Sequence, residues 1–157
     1  MQPGTVEAIA ISPRRGELPA AVDVVTAVTG HGLEGEYHFD AAAEHHGAGI
    51  TLIAAEALAG LEEDTGIALS HEATRRNVLT RGIDLNALVG RRFRVGEVEC
   101  EGVELCEPCM VLVRLTDQFP VLRGLAHRGG LRADVVDGGR IALGDAVEDR
   151  GPADADC

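Results

Sequence analysis

The apolar segments of this chain are short, and turn signals cut off almost every one, so a β-rich fold is the main way for it to build a core. Residues 5–11 and 21–29 read as strands joined by the turn-rich Ser12-Pro13-Arg14-Arg15-Gly16, and strand character returns at 48–53 and 74–80. Residues 92–95 and 98–105 alternate around Gly96-Glu97 as a hairpin does, and 133–136 and 140–143 flank the turn signal Asp137-Gly138-Gly139. Helical periodicity is clear only over 54–63, where Leu58 and Leu61 share a face and Gly66 sits at a capping position. One helical turn is expected at 84–88 with Asp84 as its N-cap, and the apolar run 109–115 reads as a short helix. About seven short strands with irregular connections and a helix or two predict a mainly β, barrel-like α+β domain. No repeat or linker interrupts it, so a single unit over 3–148 is expected, with 149–157 as a disordered tail.

Aromatic residues are 3% of the chain and Trp is absent, so the core must be built from Val, Leu, Ile and Ala. No apolar run approaches the roughly 18 residues of a membrane helix, and the N-terminus lacks the basic-then-apolar pattern of a secretory signal. A cytoplasmic protein without a membrane partner is the expectation. The net charge of −12 argues against nucleic acid, because such a surface repels phosphate backbones. All 14 basic residues are Arg, whose planar fork can hold a phosphate through two hydrogen bonds. They cluster at Arg75-Arg76 and at Arg91-Arg92-Phe93-Arg94.

Three constellations carry chemistry. Cys106-Glu107-Pro108-Cys109 places two thiols three residues apart, a spacing that suits metal sharing, disulfide exchange, or a nucleophile with its neighbour. A closed zinc site would need four ligands, and no second Cys-x-x-Cys exists; both thiols could equally be small buried hydrophobes. Arg75-Arg76-Asn77 offers two guanidinium forks and a carboxamide to a phosphate or polar heterocycle, against the plainer reading of arginines pairing with local acids. Glu36 and His38 stand in the glycine-rich loop Gly30-His31-Gly32-Leu33-Glu34-Gly35-Glu36-Tyr37-His38, where they could orient a substrate or move a proton.

Taken in order, these features resemble the MOSC family, named for the C-terminal domain of molybdenum-cofactor sulfurases. The matching residues are Gly32, Leu33, Gly35, Glu36 and His38, then Ile50-Thr51-Leu52-Ile53 through Glu56-Ala57-Leu58, and Arg76-Asn77-Val78. Gly82-Ile83-Asp84-Leu85, Leu88, Gly90 and Pro108-Cys109 follow, and Gly129-Gly130-Leu131-Arg132-Ala133 leads to Gly139 and Gly144-Asp145. Glu36 is a departure, since the family more often carries Asp there.

The resemblance implies a MOSC-type β-barrel-like domain that binds a molybdenum–pterin cofactor. It makes Cys109 the reactive residue, either as a ligand to molybdenum or as the carrier of a persulfide sulfur. Related proteins reduce N-hydroxylated compounds, so the leading expectation is an oxidoreductase with Cys109 as metal ligand. In that reading His38 is the acid that protonates departing oxygen, and Arg75, Arg76, Asn77, Thr51, Gly35 and Glu36 bind the cofactor. A sulfur carrier in which Cys106 resolves the persulfide is the alternative, and a non-enzymatic binding module is the third. A small-molecule substrate and a separate electron or sulfur donor protein are the implied partners. Glu104 and Glu107 raise the pKa of Cys109, so nearby Arg or the metal must favour its thiolate.

Overall fold

The computed structural model describes residues 1–106 and 124–153, apart from the side chain of Ala41. Ten strands dominate the regular structure: β1 Gly4–Ile11, β2 Ala20–Val22, β3 Val24–Ala27, β4 Ile50–Ala54, β5 Val78–Arg81, β6 Arg91–Val95, β7 Val98–Leu105, β8 Leu131–Asp137, β9 Gly139–Ala142 and β10 Ala146–Pro152. Two helices, α1 Ala55–Thr65 and α2 His71–Thr74, lie between β4 and β5.

Seven of the strands close into a barrel in the order β10-β6-β7-β8-β4-β5-β1, sealed by β1 against β10 through Gly4↔Val147 and Thr5↔Ala146. Strand directions cannot alternate all the way round a ring of seven, so a parallel pair is obligatory. That pair is β4–β5, in the register Leu52↔Val78. Parallel neighbours need a crossover connection, and α1 with α2 supplies it. β2 hangs on the outer half of β1, and β3 pairs with β9 in a small second sheet.

The barrel interior holds one aliphatic cluster that includes Ile9, Leu33, Ile50, Leu52, Leu88, Leu131 and Ile141, with Phe93 as its fully buried aromatic. This agrees with a composition poor in aromatics. Helix α1 packs Leu61 over Ile67 and Leu125 in a satellite cluster, and it ends at Gly66 in the left-handed conformation expected of a cap. The single turn after Asp84 forms as a 3-10 turn, Leu85–Leu88, with Asp84 accepting from the Asn86 N–H at 3.1 Å.

Three expectations need correction. The strand expected at 21–29 breaks at Asp23, and its halves join different sheets, β2 on β1 and β3 on β9. The strand expected at 74–80 starts only at Val78, because Ser70 caps α2 through the Ala73 N–H and Thr74 bonds back to the His71 carbonyl. The turn signal at Asp137-Gly138-Gly139 does fall between two strands, β8 in the barrel and β9 on β3. The tail expected to be disordered from 149 is β-strand as far as Pro152. Asp149 accepts two hydrogen bonds from Arg91, both at 2.9 Å, and the strand continues along β6. The helix expected at 109–115 and residues 154–157 lie outside the described residues.

Candidate functional site

The parallel register fixes the centre of the site. Because Leu52 faces Val78, the residues just before them, Thr51 and Asn77, also lie side by side at the open ends of β4 and β5. The Asn77 carboxamide oxygen accepts from the Thr51 N–H and hydroxyl, each at 3.1 Å, and its nitrogen donates to the Ala10 carbonyl at 3.2 Å. That nitrogen also donates to Glu36 Oε1 at 2.6 Å, while the Ser12 N–H reaches the same oxygen at 3.0 Å. Glu36 is therefore a buried carboxylate with one oxygen fully engaged. Its Oε2 lies 3.3 Å from His38 Nδ1, an ion-pair distance without hydrogen-bond alignment. Gly35 makes this geometry possible: its φ is +93°, and a Cβ there would meet Ile11 at 2.9 Å.

Ser12, Glu36, Tyr37, His38, Ala48, Thr51, Arg75, Arg76, Asn77, Cys106 and Arg132 line one cleft of about 280 Å³ at this end of the barrel. It thus gathers Glu36, His38, Thr51, Arg75, Arg76 and Asn77, six residues read from three separate stretches of sequence. Gly35 shapes the loop but does not line the cleft. Cys109 lies outside the described residues.

The three arginines differ in what they touch. Arg76 donates to the carbonyls of Thr74 at 3.0 Å, Cys106 at 3.1 Å and Gly129 at 2.9 Å. It thereby ties β7's end to the segment entering β8. Arg75 holds the left-handed conformation at φ +60°, which favours glycine or asparagine, and it donates to the Glu17 carbonyl. Neither Arg75 nor Arg132 has an ion-pair partner among the described residues. Arg132 was not singled out from the sequence, although alternation with the buried Leu131 and Ala133 would have turned it outward. Ser12 and Tyr37 were missed as well.

Burial decides the state of two other groups. Desolvation pushes the Cys100 thiol far up, which makes it an inert core residue. It also lowers the His71 imidazole below the usual histidine range. A larger cleft of about 430 Å³ lies beside the start of α1, but its ionisable groups are tied up. Glu56 accepts from the Gly82 N–H at 2.8 Å, and Arg128 pairs with Asp64 at 2.6 Å.

The model of the MOSC domain matches residues 36–148, most of the chain and every residue that lines the cleft except Ser12. The chain belongs to the MOSC domain family. Its fold is similar to that of the YuaD protein from Bacillus subtilis, with a TM-score of 0.82 at 17% identity, over 97% of this chain and 98% of that one. YiiM from Geobacillus stearothermophilus (TM-score 0.75, 14% identity, 94% of this chain, 75% of that one) is also similar. So is YiiM from Escherichia coli (TM-score 0.69, 17% identity, 95% and 71%). No curated protein matches the sequence. Among the described residues no helix of this MOSC protein is long and apolar enough to cross a membrane, and no cluster of three His, Cys, Asp or Glu could hold a metal.

Proposed function

We propose that this MOSC protein binds a molybdenum–pterin cofactor in the cleft and reduces N-hydroxylated compounds there, with Cys109 as the metal ligand. The observation that supports this most is the convergence of Glu36, His38, Thr51, Arg75, Arg76 and Asn77 on one cavity whose wall includes Cys106. The donor set suits the cofactor. Arg75 and Arg132 offer charge to a phosphate, and the thiolate of Cys109 is a soft ligand.

When bound, the cofactor supplies two-electron redox chemistry, with electrons delivered by a separate donor protein. The chain's own contribution is positional and acid–base. Reduction of an N–OH group to N–H consumes two electrons and two protons and releases water. The departing oxygen needs a proton, and His38 is the acid in reach of the cleft. Glu36 Oε2 lies 3.3 Å from Nδ1, which leaves Nε2 as the ring nitrogen for the cleft. Asn77 and Ser12 hold Glu36 so that it cannot swing away. The test is to purify wild-type protein and Cys109→Ala from cells that make the cofactor, and to measure bound molybdenum and amidoxime reduction. Metal-loaded wild type and a metal-free, inactive variant are expected; equal loading would remove Cys109 as ligand.

The alternative of a sulfur carrier is favoured by one feature, the position on the cleft wall of Cys106, three residues before Cys109 in the sequence. A one-sulfur mass adduct after incubation with a sulfur donor, absent from Cys109→Ser, would support it.

A further inference from the structure

We infer that Tyr37 is a stacking platform that makes the cleft prefer flat, conjugated ligands over saturated ones carrying the same reacting group. The inference rests on the reductase reading above and narrows its substrate class. Tyr37 sits between Glu36 and His38 and lines the same cleft, yet it is 46% exposed. The described aromatics are otherwise occupied. Phe93 is sealed in the barrel core, and Phe39 stacks on His31 at a centroid distance of 5.0 Å. Among the described residues Tyr37 has one ring contact, His38, with ring centroids 4.9 Å apart and planes at 69°. An edge-on contact covers at most one face of a ring, so the other face is left for something else. The backbone that carries the ring is anchored, because the Tyr37 N–H donates to the Ser12 carbonyl at 2.8 Å.

The chemistry follows from that arrangement. A conjugated group laid on the free face gains stacking and apolar burial in a cleft whose other walls are largely polar or cationic. It also comes to rest beside the His38 ring, so an N–OH group attached to the flat system is carried toward the proton donor. A saturated ring of the same size would bury similar area without the stacking.

The chain provides its own probe: it contains one Tyr and no Trp, so tyrosine emission reports this cleft alone. The full cofactor-loaded protein is titrated with benzamidoxime and with cyclohexanecarboxamidoxime, correcting for ligand absorption, and KM and kcat are measured for both. Benzamidoxime is expected to quench emission saturably and to bind about tenfold tighter, within the range that base stacking on an aromatic contributes. Tyr37→Phe should keep that preference, followed by calorimetry and KM. Tyr37→Leu should reduce it to near unity through KM, with kcat little changed. Equal affinity of wild type for the two compounds, or a preference that survives Tyr37→Leu, overturns the inference. A fall in kcat alone does so too, because it would make Tyr37 a support for His38. Quenching and preference without any N–O reduction would sink the reductase reading and leave the platform standing. Reduction with an unchanged preference in Tyr37→Leu would do the reverse.

Discussion

Asn77→Asp tests the buried network with almost no change of shape. Asn77 Nδ2 lies 2.6 Å from Glu36 Oε1 and 3.2 Å from the Ala10 carbonyl, so the substitution replaces a donor to two oxygens with a third oxygen. Two unit charges at that separation repel by about 6 kcal/mol at an effective dielectric constant near 20. The pair escapes most of this by keeping one proton between the two carboxyls. Holding that proton at pH 7, about three units above an ordinary carboxyl value and at about 1.4 kcal/mol per unit, limits the penalty to about 4 kcal/mol. The sign follows from linkage. The folded variant binds a proton that the unfolded chain has released, so the penalty is absent below about pH 4 and grows as pH rises. Urea unfolding of wild type and variant at pH 5 and pH 7 should show the gap widening by roughly 2.7 kcal/mol. Asn77→Ala, which removes the donor without adding charge, should lose stability by a similar amount at both pH values. A gap for Asn77→Asp that does not depend on pH would refute the coupling of Asn77 to an ionised Glu36.

Other outcomes follow from single contacts. His71 is held below its usual range by burial, so its contribution to stability is present above about pH 6.5, where the unfolded imidazole is also neutral, and is lost as pH falls. His71→Gln should therefore flatten the acid side of the stability profile between pH 6.5 and 5, read by thermal unfolding. Gly130 has φ +115°, and a Cβ there would lie 2.1 Å from the Leu52 carbonyl oxygen. Gly130→Ala should lower stability by more than about 3 kcal/mol by chemical denaturation. Arg76→Lys cannot reach the three carbonyls that the guanidinium spans, so hydrogen exchange at the Cys106 N–H, bonded to the Gly130 carbonyl at 2.7 Å, should quicken. Unchanged exchange there would mean that the latch is not needed.

Much of the site was legible in the sequence because its members come as local patterns. Glycines mark the loop before Glu36 and His38, and Arg75-Arg76-Asn77 is a compact polar cluster. The division of labour between Arg75 and Arg76 was not legible. It depends on the left-handed turn at Arg75, which breaks the strand expected at 74–80 and sends neighbouring side chains in different directions. Nothing in the composition of that stretch announces a positive φ at an arginine. Arg132 was hidden for another reason. A lone cation on the outer face of a strand looks like any solvated residue until Thr51, its partner in the ladder, is known to border a cleft. Strand 146–152 escaped because its Asp, Gly and Pro are poor strand formers; the pairing with β6 and the Arg91–Asp149 contact override that local preference.

The barrel's odd strand number explains why the site sits where it does. Hairpins could have joined antiparallel neighbours all round a ring of even number, and each would have left a tight turn at either end. Seven strands force one parallel pair, and its helical crossover carries the chain away from the barrel between Ala54 and Val78. The starts of β4 and β5 are left open side by side, with no hairpin between them to fill the space. Asn77 and Thr51 bridge that gap with five polar atoms, and the Glu36 loop folds over it. The polar network therefore closes the weak point of the barrel and lines the cleft at once. For that reason changes that abolish ligand binding at Asn77 or Glu36 should also lower stability, whereas changes at Arg132 or Tyr37, which only border the opening, should not.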